Sequence, residues 1–158
     1  MRIKKTKGFT IIEVLVAMVI LSIGVLSLGV LQLASMQNTQ GGYLRSQATI
    51  LAYDIIDSMR ADFPGVTSGD YRLAFADATP AAVNCDGVDA NCTNRQMATS
   101  DLNRWRTVLG NYLPSGSGQV ATADIGTTTQ VTVTVSWVDP FTAASGTEQI
   151  VLVSELRQ

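Results

Sequence analysis

Few residues in this chain have types and spacing suited to chemistry, and the first is a lone acid. Glu13 stands inside the stretch 8–33, of which residues 9–31 are otherwise apolar or small apart from scattered Thr and Ser. A carboxylate near the start of a membrane-length apolar run costs a few kcal/mol in hydrocarbon and finds no counter-charge in its own helix, so it reads as functional. Arg2, Lys4, Lys5 and Lys7 crowd the residues before it, and the next positive charge is Arg45. Cys85 and Cys92, the two cysteines, enclose Asp86-Gly87-Val88-Asp89-Ala90-Asn91. The chain has no His, so the commonest general base and metal ligand is missing. Ser-His-Asp and Cys-His arrangements are excluded, and with lysines at positions 4, 5 and 7 alone, no Ser-x-x-Lys forms beyond them. There is no P-loop and no GxGxxG. The expectation is a structural and interaction protein with no catalytic residues, no cofactor and no metal site.

For the cysteines, a structural disulfide between Cys85 and Cys92 is expected, given an exported domain and a single pair. Zinc would need two further good ligands, and redox catalysis favours Cys-x-x-Cys. Asp86, Asp89 and Asn91 offer oxygens to calcium, but their spacing is not that of the 12-residue calcium loop with its terminal Glu.

The elements that position these groups follow from periodicity. Residues 9–31 are long enough, at about 1.5 Å per residue, to cross the roughly 30 Å core of a bilayer as a helix. The basic residues on its N-terminal side place that end in the cytoplasm and the remainder outside. A cleaved secretory signal has an apolar core of about 7 to 15 residues and a small-x-small site, and this run is too long. Beyond the span, Leu44, Ala48, Leu51, Ala52, Ile55, Ile56 and Met59 recur at threes and fours, so the helix becomes amphipathic. Residues 37–42, Gln-Asn-Thr-Gln-Gly-Gly, mark a weak joint where a bend or local melting is expected, since each Gly costs about 1 kcal/mol against Ala. Asp62-Phe63-Pro64-Gly65 should end the helix, with Gly65 left-handed.

Farther on, residues 71–75 suggest a short strand or ordered edge. A second helix is expected to be capped within Thr99-Ser100-Asp101 and to bury Leu102, Trp105, Val108, Leu109, Tyr112 and Leu113, with Arg104 and Arg106 facing away. Three strand-like runs follow, 119–125, 130–138 and 148–156. Val131, Val133, Val135 and Trp137 alternate with polar residues and should face the core. An antiparallel sheet packed on the amphipathic half of the first helix buries both apolar faces, an α+β arrangement.

Lys7-Gly8-Phe9-Thr10-Ile11-Ile12-Glu13 resembles the N-terminal signal of type IV pilins and pseudopilins, in which a basic leader ends in Gly and the mature chain begins with Phe and carries Glu fifth. The resemblance implies that prepilin peptidase cuts between Gly8 and Phe9 and that Phe9 is N-methylated. It implies that Glu13 pairs with the Phe9 amine of an adjacent subunit, two buried charges offsetting each other at one contact. The run 46–60, Tyr71-Arg72-Leu73, the cysteine pair, and Asp101-Leu102 with Trp105 and Leu109 look like the PilV family of type IV pilus minor pilins. The resemblance thus implies a type IV pilin fold: leader 1–8, transmembrane and assembly half-helix 9–33, amphipathic half-helix 34–62 and globular domain 63–158. It also implies a role in priming pilus assembly or at the fibre tip. The implied partners are other minor pilins, the major pilin, prepilin peptidase and the inner-membrane assembly platform. The implied place is the bacterial inner membrane, with the globular domain in the periplasm, then the extracellular pilus. Alternatives sharing the N-terminal logic are a minor pseudopilin of type II secretion and a DNA-uptake or adhesive pilin. Loss of the leader's four basic residues from a formal charge of −2 leaves −6, which argues against a nucleic-acid partner.

Overall fold

The computed structural model describes residues 8, 10–85, 87, 91–140 and 146–157. In chain order the elements are α1 (Ile11–Ala61), α2 (Phe63–Thr67), α3 (Asn94–Tyr112), β1 (Ser117–Ile125), β2 (Thr128–Val138) and β3 (Thr147–Leu156). The strands form one antiparallel sheet in the order β1-β2-β3. The fold is α+β, a long N-terminal helix packed on a small antiparallel sheet. The chain divides into two units, Met1–Thr39 and Gln40–Gln158.

In the first unit α1 is helical from Ile11, and every residue from Ile11 to Thr39 is exposed. Hydroxyls in the apolar run fold back on the helix: Ser22 Oγ donates to Val19 O at 2.8 Å and Ser27 Oγ to Ile23 O at 2.9 Å. This back-bonding hides polar hydrogens that hydrocarbon could not satisfy.

The second unit holds the core. Leu44, Ala48, Leu51, Ala52, Ile55, Ile56 and Met59 form the buried face of α1, the same seven residues that the periodicity predicts. Val131, Val133, Val135 and Trp137 of β2 face them from the sheet, joined by Leu102, Trp105 and Leu109 of α3. Trp105 Nε1 donates to Leu51 O at 2.8 Å, so the largest buried side chain also ties α3 to α1. Gly118 of β1 lies flat against the Trp105 ring and Leu109; a Cβ there would overlap both. A bare backbone is what lets Trp105 reach the sheet.

Several expectations require correction. The Gly41-Gly42 joint does not melt, for α1 runs through it. The bareness of Gly41 is used, because a Cβ would stand 3.0 Å from the buried Asp139 carboxylate. The break after α1 is not a left-handed Gly65. Asp62 caps a short second helix by accepting from Gly65 N at 3.2 Å, and Pro64 sits in its first turn, where a missing N–H costs nothing. The left-handed residue is Gly69, at φ 79°. Of the two forms expected for residues 71–75, the ordered edge is the one found: Leu73 alone bridges Val120, with N···O distances of 3.0 and 2.8 Å.

α3 begins well before the expected cap. Thr93 is its N-cap and forms a reciprocal capping box with Gln96, which satisfies two otherwise orphan N–H groups. Thr99 lies inside the helix and bonds back to Arg95 O at 2.7 Å. Tyr112, assigned to the apolar stripe by spacing, is 60% exposed, while Leu113 just past the helix is buried.

Candidate functional site

Glu13 occupies the first turn of α1, where Thr10 O accepts from the Glu13 and Val14 N–H groups. A carboxylate there is favoured by the positive end of the helix dipole. Around it, Ile11, Ile12, Val14, Leu15 and Val16 are all exposed. Among the described residues nothing forms an ion pair with Glu13. The leader residues 1–7 and Phe9, the expected methylation site, lie outside the described residues; Gly8 is described and exposed. One helix among the described residues is long and apolar enough to cross a membrane, and it is this one. Gly24 and Gly29, farther along it, have no atom within 4 Å of where a Cβ would be. The folding of this chain by itself gives no reason for them. What the described residues present chemically is a wide apolar helix surface with one acid, which no described cation meets.

The globular unit carries a separate polar network. Tyr71, fully buried, donates to Asp101 Oδ2 at 2.7 Å, and Arg104 donates to Asp101 Oδ1 at 3.3 Å. Burial, and then the hydrogen bond and charge of Asp101, push the Tyr71 phenol up from its ordinary value. Asp62 lies nearby with its Oδ2 buried and unpartnered. Burial raises its pKa, opposed by the Gly65 N–H and aided by the charges of Asp101 and Asp70. A recess of 370 Å³ opens between Asp62, Asp101, Ser58, Asn94, Met97 and Cys92. Asp101, expected as a helix cap, is thus the hub of a buried polar contact within the helix.

Arg106 also departs from expectation. Rather than facing away, it turns inward, donating to Ala74 O at 2.6 Å and Ser117 Oγ at 3.3 Å, and burial lowers its pKa. It joins α3 to β1 and to the segment after Tyr71. Arg104 is exposed apart from its contacts with Asp101 and, at 3.5 Å, Ser58 Oγ, and Asp57 pairs with Arg60 on the solvent side of α1.

Cys85 and Cys92 are joined by a disulfide with Cα atoms 6.0 Å apart. The bridge ends one residue before the Thr93 cap, so it holds the start of α3. Of the oxygen donors considered for calcium, Asp86 and Asp89 lie outside the described residues. Among the described residues no three His, Cys, Asp or Glu side chains converge as a metal site.

The Tyr71–Asp101 pair and the inward Arg106 escaped the sequence reading because their partners are 30 and 32 residues away. The early start of α3 was available, since Thr93-x-x-Gln96 is a capping-box spacing.

Comparison with known proteins gives two family matches. Residues 3–29 match the prokaryotic N-terminal methylation motif, and residues 30–103 match the model described as type IV pilin Tt1218. No curated protein and no solved structure matches the chain.

Proposed function

We propose, from the premise that this chain belongs to the type IV pilin family, that it is a minor pilin that primes pilus assembly with other minor pilins. Membership of the family implies processing by prepilin peptidase and assembly with pilus components. The finer reading is that cleavage after Gly8 frees the Phe9 amine, which is methylated and pairs with Glu13 of a neighbouring subunit. Before assembly α1 lies in the inner membrane with the globular domain in the periplasm. After extraction, packing against neighbouring helices keeps residues 9–33 in apolar surroundings. Gly24 and Gly29 then admit a second helix at close range. A place at the fibre tip belongs to the same proposal.

The observation that carries it is the exposed apolar half of α1 with Glu13 as its one charge, unpaired among the described residues. An acid in hydrocarbon is tolerated when a counter-ion arrives with the partner. The pilin match over residues 30–103 favours a pilus over a type II secretion complex, whose subunits share the same N-terminal logic.

Two variants test the reading in cells. Gly8→Val should leave the leader attached; a mature N-terminus at Phe9 in that variant rejects the cleavage assignment. Glu13→Ala should be cleaved and inserted normally yet recovered in sheared pili at about a tenth of the wild-type level or less, the loss of one buried charge pair. Undiminished incorporation rejects the pairing.

A further inference from the structure

β3 is bonded along one side and, among the described residues, bare along the other. It pairs with β2 over its whole length, from Thr147 opposite Val138 to Leu156 opposite Thr129, without a bulge. It ends the sheet, and no backbone group on its far side has a partner among the described residues. Such an edge is a template for another strand, and proteins commonly blunt it with Pro, Lys or a bulge. The sequence of β3, Thr-Glu-Gln-Ile-Val-Leu-Val-Ser-Glu-Leu, contains neither Pro nor Lys. The opposite edge is better protected: Leu73 bridges Val120 of β1, and Arg72 Nε donates to Thr122 Oγ1 at 2.7 Å.

Side chains agree with the backbone. Val151 and Val153 are 54% and 57% exposed on the outer face. Ile150 and Leu152, on the inner face, are partly buried, although their β2 neighbours Val135 and Val133 are fully buried. Cover for the core thins out at this strand.

We propose that the free edge of β3 docks an extended strand of a different protein subunit, apolar and β-branched in its middle and basic at its ends, as a fourth strand of the sheet. Only an extended backbone meets a row of alternating N–H and C=O groups, and alternate side chains then supply selectivity. The charge follows from Glu148 and Glu155, which flank the apolar residues 150–153 on a strand without a basic residue. Of the cations near Glu155, Arg157 is 3.8 Å away and well exposed, and Arg60, which donates to Ser154 Oγ at 3.3 Å, is paired with Asp57 at 2.6 Å, so they offset little of that charge. A second copy fits poorly. Any antiparallel pairing that lays 150–153 on the same residues of another copy brings Glu148 within one residue of that copy's Glu155, at both ends, and like charges in that position repel. The inference rests on the sheet and does not require the helix-borne assembly proposed above.

The test uses the full-length protein in detergent micelles and a dye-labelled synthetic peptide, Lys-Thr-Val-Thr-Val-Thr-Val-Lys. Anisotropy should show saturable binding, abolished when alternate peptide amides are N-methylated on the docking side. Replacing both peptide lysines with Glu should weaken binding about tenfold, and Glu148→Lys with Glu155→Lys in the protein should reverse that preference. No saturable binding of the Lys-flanked peptide, equal binding of the N-methylated one, or an unreversed preference overturns the proposal. Self-association in sedimentation that the peptide competes away assigns the edge to a second copy and likewise overturns it.

Discussion

Tyr71 and Asp62 show how one buried position governs the neighbouring charges. Tyr71→Phe removes the buried hydrogen bond to Asp101 Oδ2 and should destabilise the fold by about 2 kcal/mol in denaturant unfolding. Its raised pKa means that the folded state holds the phenolic proton more tightly than the unfolded chain. Stability from this group is therefore complete below pH 10.0, the ordinary value, and is lost as pH rises above it; the Phe variant should lack that alkaline loss. Asp62 has the same sign at the acid end. Its raised pKa makes its contribution greatest below 3.8, falling as pH rises through the folded value. Asp62→Asn retains an oxygen for the Gly65 N–H and should flatten stability against pH in that window, as followed by thermal melts.

At the scale of elements, α1 combines two kinds of surface along 51 residues, one requiring hydrocarbon or other helices and one requiring its own sheet. The amphipathic stripe was fully legible because burial against a flat partner imposes the helical period on the sequence. α3 was only half legible. Its core residues Leu102, Trp105 and Leu109 obeyed the period, but its first turns carry Arg95, Gln96 and Thr99, so no apolar pattern announced them. The start is set instead by a cap and a disulfide. Thr93→Ala should cost about 1 kcal/mol through loss of the capping box, and reduction of Cys85–Cys92 about 2 to 3 kcal/mol in the chain-entropy picture. Gly118→Ala should cost about 1 to 3 kcal/mol by overpacking against Trp105. Chemical denaturation of each variant measures these differences.

For the whole molecule, every residue of the buried core lies between Leu44 and Leu156, within the second unit. A fragment covering residues 40–158 should therefore fold cooperatively without detergent, with a single thermal transition in circular dichroism and the same Tyr71-dependent alkaline limit. Residues 11–39 are exposed throughout and contribute nothing to that core. A truncation that removes Leu44 and Ala48 as well should broaden the transition, since it opens one end of the stripe facing the sheet.

Sequence alone determined whatever is written in consecutive or periodic residues: the apolar run with its solitary Glu13, the basic residues before it, seven buried positions on α1 and four on β2. Those patterns are local because solvent and bilayer act on each helix or strand directly. Tertiary structure decided which distant groups meet. It put Tyr71 on Asp101, turned Arg106 toward Ala74, carried α1 through Gly41 and Gly42, and left the far side of β3 without a partner among the described residues. Partners separated by dozens of residues leave no periodic trace, so only the packed chain fixes which polar atoms share a low-dielectric space and which strand ends the sheet.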